Sequence, residues 1–175
     1  MELDATLRAT IAAAVEARRG EILGFFRDLV RIPSETHPPG GDEGPAQRFV
    51  AERLRAMDLE PDIFEPWSVP GIEAHPGWWP GLDYTDRPNV VARWAGSGGG
   101  RSLILNGHID VVPAGDRSLW THDPYGAEVV GSRIYGRGTA DQKIGIAAMI
   151  MAVACLKAIG IRPAGDVILE SVVNE

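Results

Sequence analysis

A mixed α/β domain, a central sheet flanked by helices, is the fold class this sequence predicts. Short β-branched and apolar runs, among them NVVARW (89–94), LIL (103–105) and DVILESVV (166–173), have the length and composition of strands. Runs that are apolar without alternation belong to strands covered on both faces, as in α/β sheets. Between the last two lies DQKIGIAAMIMAVACLKAIG (141–160), apolar on nearly every side, the pattern of a helix packed inside a domain.

The elements follow in order. Residues 4–30 read as one helix, with Phe25, Phe26, Leu29 and Val30 near its end and Pro33 stopping it soon after. Residues 40–45 lead into a second helix, where Ala46, Phe49, Val50, Leu54 and Met57 recur at i, i+3, i+4 spacing and mark the face laid on the sheet. Strands are expected near 61–65, 89–94, 102–107, 126–135 and 166–173, the fourth folding back at Gly131-Ser132, a pair suited to a type II′ turn. Residues 66–84 hold too many prolines and glycines for regular structure and read as a long loop. Its Trp67, Trp78, Trp79, Tyr84 and His75 leave two readings open, local packing or the lining of a substrate entrance or domain contact. Gly96 to Gly100 reads as a tight, flexible turn. Gly160 closes the apolar helix, and the final strand follows Pro163 and Gly165.

Composition bounds the function. With 175 residues, 45% of them hydrophobic, the chain can bury a sizeable core. A formal charge of -7 with no basic cluster argues against nucleic acid and anionic membrane surfaces as main partners. The best candidate membrane span, the run from Asp141, opens with charged residues and is interrupted by Lys157, so no membrane partner is expected. The N-terminus lacks the apolar centre of a secretion signal, which makes cytoplasmic localisation the expectation. The single Cys155 forms no internal disulfide and sits among Met151, Val153 and Leu156 as a buried thiol.

The chemistry is carried by NGHIDVVP (106–113), GRGTADQK (136–143) and the terminal VVNE (172–175). In extended chain His108 and Asp110 project to one side and Ile109 to the other. A metal-bound imidazole usually donates its second N–H to a carboxylate, so the pair can be a ligand with its orienting group; by itself it reads more readily as a structural hydrogen-bonded pair. Asp141 opens the apolar helix, where a carboxylate caps free N–H groups. Its glycine-rich approach, and the gathering of ligands at strand carboxyl ends in open α/β sheets, give it a ligand reading as well. Glu175 falls at the carboxyl end of the last strand, so His108, Asp141 and Glu175 are expected on one sheet edge. Lys143 reads as a solvated lysine in the first helical turn without catalytic role, and His37 and His122 stay outside the site.

Together with the W..DPY segment from Trp120 to Tyr125, these motifs resemble, in the same order, the co-catalytic zinc amidohydrolases and peptidases that include acetylornithine deacetylase, succinyl-diaminopimelate desuccinylase, aminoacylase and carboxypeptidase G. The resemblance implies a three-layer zinc-peptidase-like catalytic domain with a central mixed sheet flanked by helices. Residues 1–175 would be its N-terminal part, incomplete at the C-terminus, with a lid and dimerisation domain and the remaining catalytic segment absent. It implies His108 as a zinc ligand, Asp110 as the carboxylate that orients it, Asp141 as the bridge between two Zn2+ ions, and Glu175 as general base, with Co2+ or Mn2+ able to occupy similar sites. The implied reaction is hydrolysis of the amide bond of an N-acyl amino acid or small peptide by a full-length homodimer, the piece itself being inactive. The class left open beside it is a fragment or homologue that keeps the fold for binding or assembly. Ile144 stands where the family motif commonly has Gly and Asn174 where it commonly has Asp; neither change removes a matched ligand.

Overall fold

A computed structural model describes residues 4–174. The expected helix over 4–30 is two. Helix α1 (Ala5–Ala17) is capped by the Asp4 carboxylate, α2 spans Arg19–Arg31, and Arg18 breaks the run at φ -104°, ψ 8°. Each piece lays its own apolar residues against the core, Ala14 from α1 and Phe25, Phe26, Leu29 and Val30 from α2. Ile32 is extended, as the residue before a proline tends to be, and ends α2. A two-residue hairpin follows, β1 (Thr36–His37) and β2 (Gly40–Gly41), and then α3 (Gly44–Arg55), with Pro45 in its first turn and Ala46, Val50 and Leu54 buried.

The central sheet is mixed, as expected, with β3 (Asp62–Phe64), β4 (Asn89–Trp94), β5 (Leu103–His108) and β8 (Val167–Val172) in the order β3-β4-β8-β5. Strand β4 runs antiparallel to both β3 and β8, whereas β5 pairs parallel with β8, His108 standing opposite Val172. The expected strand over 126–135 is a separate ribbon, β6 (Glu128–Val130) with β7 (Arg133–Tyr135), turned at Gly131, whose φ of +59° suits the first central position of a type II′ turn. Strand β5 departs from the doubly covered reading. It lies at the sheet edge, and Leu103 and Ile104 are 53% and 57% exposed; only its carboxyl end, Gly107 and His108, is buried. The turn over 96–100 is closely packed: Ser97 and Gly98 donate backbone N–H groups to Pro163 and Ala164, and a Cβ on Gly96 or Gly100 would lie 2.4 Å from backbone atoms of Gly165.

Helix α4 (Lys143–Ala158) crosses from β5 back to β8 and buries Ile146, Ile150, Met151 and Val153, with Cys155 buried as expected. No helix among the described residues is long and apolar enough to cross a membrane. Lys143 corrects the solvated reading: its side chain is fully buried, and Nζ donates to the carbonyls of Leu29 at 3.2 Å and Ile32 at 2.6 Å. These lie at the carboxyl end of α2, where helix carbonyls lack partners and a cation is favoured. Burial pushes the ammonium pKa down to about 8. Lys143→Met, which leaves those carbonyls without their donor, is expected to lower stability by about 2 kcal/mol in urea denaturation; an unchanged midpoint would show that the lysine fastens nothing.

Candidate metal centre

His108 ends β5, and the chain beyond it is fixed from both sides. Ile109 turns into the core, donating its N–H to Val172 O at 2.9 Å and accepting the Ser34 hydroxyl at 2.7 Å. Residues 34–36 run beside 109–111, with Thr36 N donating to Val111 O and Val111 N to Ser34 O. Gly107 is where α4 comes closest: a Cβ there would stand 2.8 Å from Gln142 Oε1 and 3.0 Å from the Ile146 methyl. Small size at 107 thus lets the first turn of α4 reach the end of the strand.

The imidazole of His108 is buried, and its two nitrogens face different chemistry. Nδ1 lies 3.1 Å from the Asp110 backbone oxygen and 3.3 Å from Asp110 Oδ1. Both are acceptors, so Nδ1 carries a proton and donates it there. Nε2 faces Asp141 Oδ1, 3.0 Å away. A contact of this length is closed by a proton, the imidazole N–H donating to the carboxylate, or by a metal cation held between the two. The donors fit a metal: zinc takes imidazole nitrogen and carboxylate oxygen at about 2.0–2.2 Å in tetrahedral geometry, which sets neighbouring ligands about 3.4 Å apart. Asp141 is 75% exposed along its side chain and opens onto a cavity of about 250 Å3 that His108, Asp110, Thr36 and Arg137 also line.

Asp141 does not open the helix. Helix α4 begins two residues later, Gln142 occupies the cap position, and no side chain caps it, so the carboxylate is committed to His108. Two of the three expected positions therefore meet; the third, Glu175, lies outside the described residues. Among the described residues no cluster of three His, Cys, Asp or Glu side chains could hold an ion. His37 lies 3.4 Å from Glu35 and 3.3 Å from Asp42, and His122 contacts Glu128 at 2.8 Å, each away from this contact.

The surroundings add residues that sequence reasoning passed over. Thr36 touches Asp110, and behind it stands a buried ion pair, Glu43 with Arg87. The W..DPY segment braces the loop after Asp110: Trp120 Nε1 donates to Ala114 O at 2.9 Å, and the Tyr125 hydroxyl donates to Glu35 Oε1. Burial, and then that hydrogen bond, push the Tyr125 pKa upward. In the 66–84 loop the local-packing reading holds for Trp67 and Trp78, whose rings meet Tyr84 at 6.0 and 5.7 Å. The same loop also walls a cavity of about 780 Å3, with Trp78, Trp79, His75 and Tyr84 on one side and Asp110 and Thr36 at its boundary with the smaller one.

Comparison with known proteins extends the geometry. The sequence profile described as "Peptidase family M20/M25/M40" matches residues 104–175, the stretch from β5 to the end of the chain. The N-formyl-4-amino-5-aminomethyl-2-methylpyrimidine deformylase of Halalkalibacterium halodurans is 35% identical over 167 residues, covering 94% of this chain and 35% of that protein. A succinyl-diaminopimelate desuccinylase of Cereibacter sphaeroides is 38% identical over 125 residues, 71% of this chain and 27% of its own length. The chain thus spans about a third of the length of these relatives. In fold it is similar to human carnosine dipeptidase 1, with a TM-score of 0.74 and 19% identity over 98% of this chain and 35% of that one. It is similar too to Bacillus subtilis YXEP, described as a dinuclear metal binding peptidase from the M20 family, at a TM-score of 0.53 and 16% identity over 89% of this chain and 35% of that one.

Proposed function

Because this chain belongs to peptidase family M20/M25/M40, we propose that it is the N-terminal part of a metal-dependent hydrolase that cleaves the amide bond of an N-acyl amino acid or small peptide. The observation that carries this reading is the contact of His108 Nε2 with Asp141 Oδ1, a nitrogen and an oxygen of metal-ligating type, at 3.0 Å on the rim of an open cavity. The enzyme names of the relatives, which describe removal of an N-acyl group, favour turnover over the binding-only alternative.

In this proposal His108 and Asp141 would hold the metal, zinc being the ion best suited to an imidazole and a carboxylate and Co2+ or Mn2+ being substitutes. When bound, such ions polarise an amide carbonyl and lower the pKa of water towards about 7. The chain's own residues do the rest. The Asp110 backbone oxygen, with its carboxylate 3.3 Å away, holds a proton on His108 Nδ1 and turns Nε2 towards Asp141. Glu175, which follows Val173 and Asn174 after β8, would accept the proton of the attacking water and pass it to the leaving nitrogen. The aromatic cavity beside Asp110 receives the apolar part of the substrate and excludes water from it. The complete protein works as a cytoplasmic homodimer.

The test uses the full-length polypeptide. Elemental analysis should find bound divalent metal, and release of free amino acid from N-acyl amino acids should stop on dialysis against a chelator and return with Zn2+ or Co2+. Hydrolysis that persists in the metal-free protein would sink the reading.

A further inference from the structure

Behind His108 runs a line of polar groups drawn from segments far apart in sequence. Glu43 and Arg87 are both buried and paired through two hydrogen bonds, Nε to Oε2 at 2.7 Å and Nη2 to Oε1 at 2.9 Å. The carboxylate fits because residue 41 is glycine: a Cβ there would lie 2.5 Å from Glu43 Oε1. Thr36 Oγ1 then stands 3.1 Å from Glu43 Oε1 and 3.1 Å from Asp110 Oδ2.

One hydroxyl proton cannot serve both carboxylates in full. Glu43 Oε1 is already served by Arg87, while Asp110 Oδ2 has no other donor among the described residues. The proton therefore belongs to Asp110. We propose that the Glu43–Arg87 pair, acting through the Thr36 hydroxyl, fixes the Asp110 carboxylate and with it the orientation of His108, making Thr36, Glu43 and Arg87 positioning residues of the site. Without Arg87 the hydroxyl would be drawn to a bare Glu43, and Asp110 would lose its anchor.

Charge supports the same direction of control. Burial alone would lower the Arg87 pKa, yet the hydrogen bond and charge of Glu43, with smaller contributions from Tyr84 and Asp110, raise it above its ordinary value. Arg87 thus stays cationic and acts on the Asp110 carboxylate as well as on Glu43.

The inference rests on the reading of His108 as a metal ligand, and two readouts on the full-length polypeptide separate them. Thr36→Val removes the hydroxyl with little change of shape; Thr36→Ser keeps it. The valine variant should fold like the wild type by circular dichroism and bind Co2+ about tenfold more weakly, the usual scale for losing a group that supports a ligand. In the metal-free protein its His108 Nδ1 proton should exchange with water about tenfold faster by NMR, as the loss of a charge-assisted hydrogen bond predicts. The serine variant should match the wild type, and Gly41→Ala, which presses on the Glu43 carboxylate, should shift both readouts in the same direction as valine. Wild-type proton exchange in Thr36→Val and Gly41→Ala overturns the inference. A wild type that binds no Co2+ overturns the metal reading instead, and the exchange rates still decide this one.

Discussion

With His108 and Asp141 as the proposed metal ligands, Asp141→Ala is expected to lower the metal content of the full-length protein and to slow amide hydrolysis by about a thousandfold or more. The carboxylate stands against His108 Nε2 at 3.0 Å, and its exposed side chain leaves room for it to reach a second ion. Metal-assisted polarisation of a carbonyl contributes several kcal/mol to the transition state, and about 4 kcal/mol corresponds to a thousandfold in rate. The fold should not share in the loss. Asp141 caps no helix end and is largely in water, so the unfolding free energy of the metal-free variant should stay within about 0.5 kcal/mol of the wild type. Asp141→Asn sharpens the test, since it keeps the shape and removes the negative charge proposed to hold the metal. Full metal content and undiminished turnover in either variant would remove Asp141 from the site.

Sequence alone reached the contact on which that prediction stands, because its two halves depend on local pattern. NVVARW is short, β-branched and apolar, and β4 occupies residues 89–94 as expected, with Val90, Ala92 and Trp94 buried. His108 and Asp141 meet because a strand carboxyl end and a helix approach share one rim, which follows from the order of elements. What stayed hidden depends on neighbours that sequence does not name. Leu103 and Ile104 look like any core strand, and only the strand order leaves them at an edge. The break at Arg18 had a faint signal in Gly20, a weak helix former just after it. Lys143 had a clearer one: a helix apolar on nearly every side leaves a lysine in its first turn no wet face, and its partners are carbonyls more than a hundred residues away. Thr36, Glu43 and Arg87 lie in stretches read as connections, and nothing local joins residue 43 to residue 87.

That last pair sets the second large effect. Glu43→Ala is expected to lower stability by about 3–5 kcal/mol, because the guanidinium left behind is buried and uncompensated. Against a total of about 5–15 kcal/mol for a typical domain, such a loss would show as a fall of the urea midpoint by about a fifth or more. Glu43→Leu with Arg87→Met should recover most of it, since apolar side chains of similar volume often replace a buried ion pair at little cost. Stability and site then come apart. The double variant restores packing but returns neither the charge on Arg87 nor its bond to Asn174 Oδ1 at 2.7 Å, and its Co2+ affinity should remain below that of the wild type. An ion pair kept only for packing would let both properties recover together, whereas one kept to hold Thr36 and Asp110 in place lets stability recover alone. A Glu43→Ala protein that loses less than about 1 kcal/mol would show that Arg87 finds another counter-charge, and the coupling from Glu43 to His108 would have to be sought elsewhere.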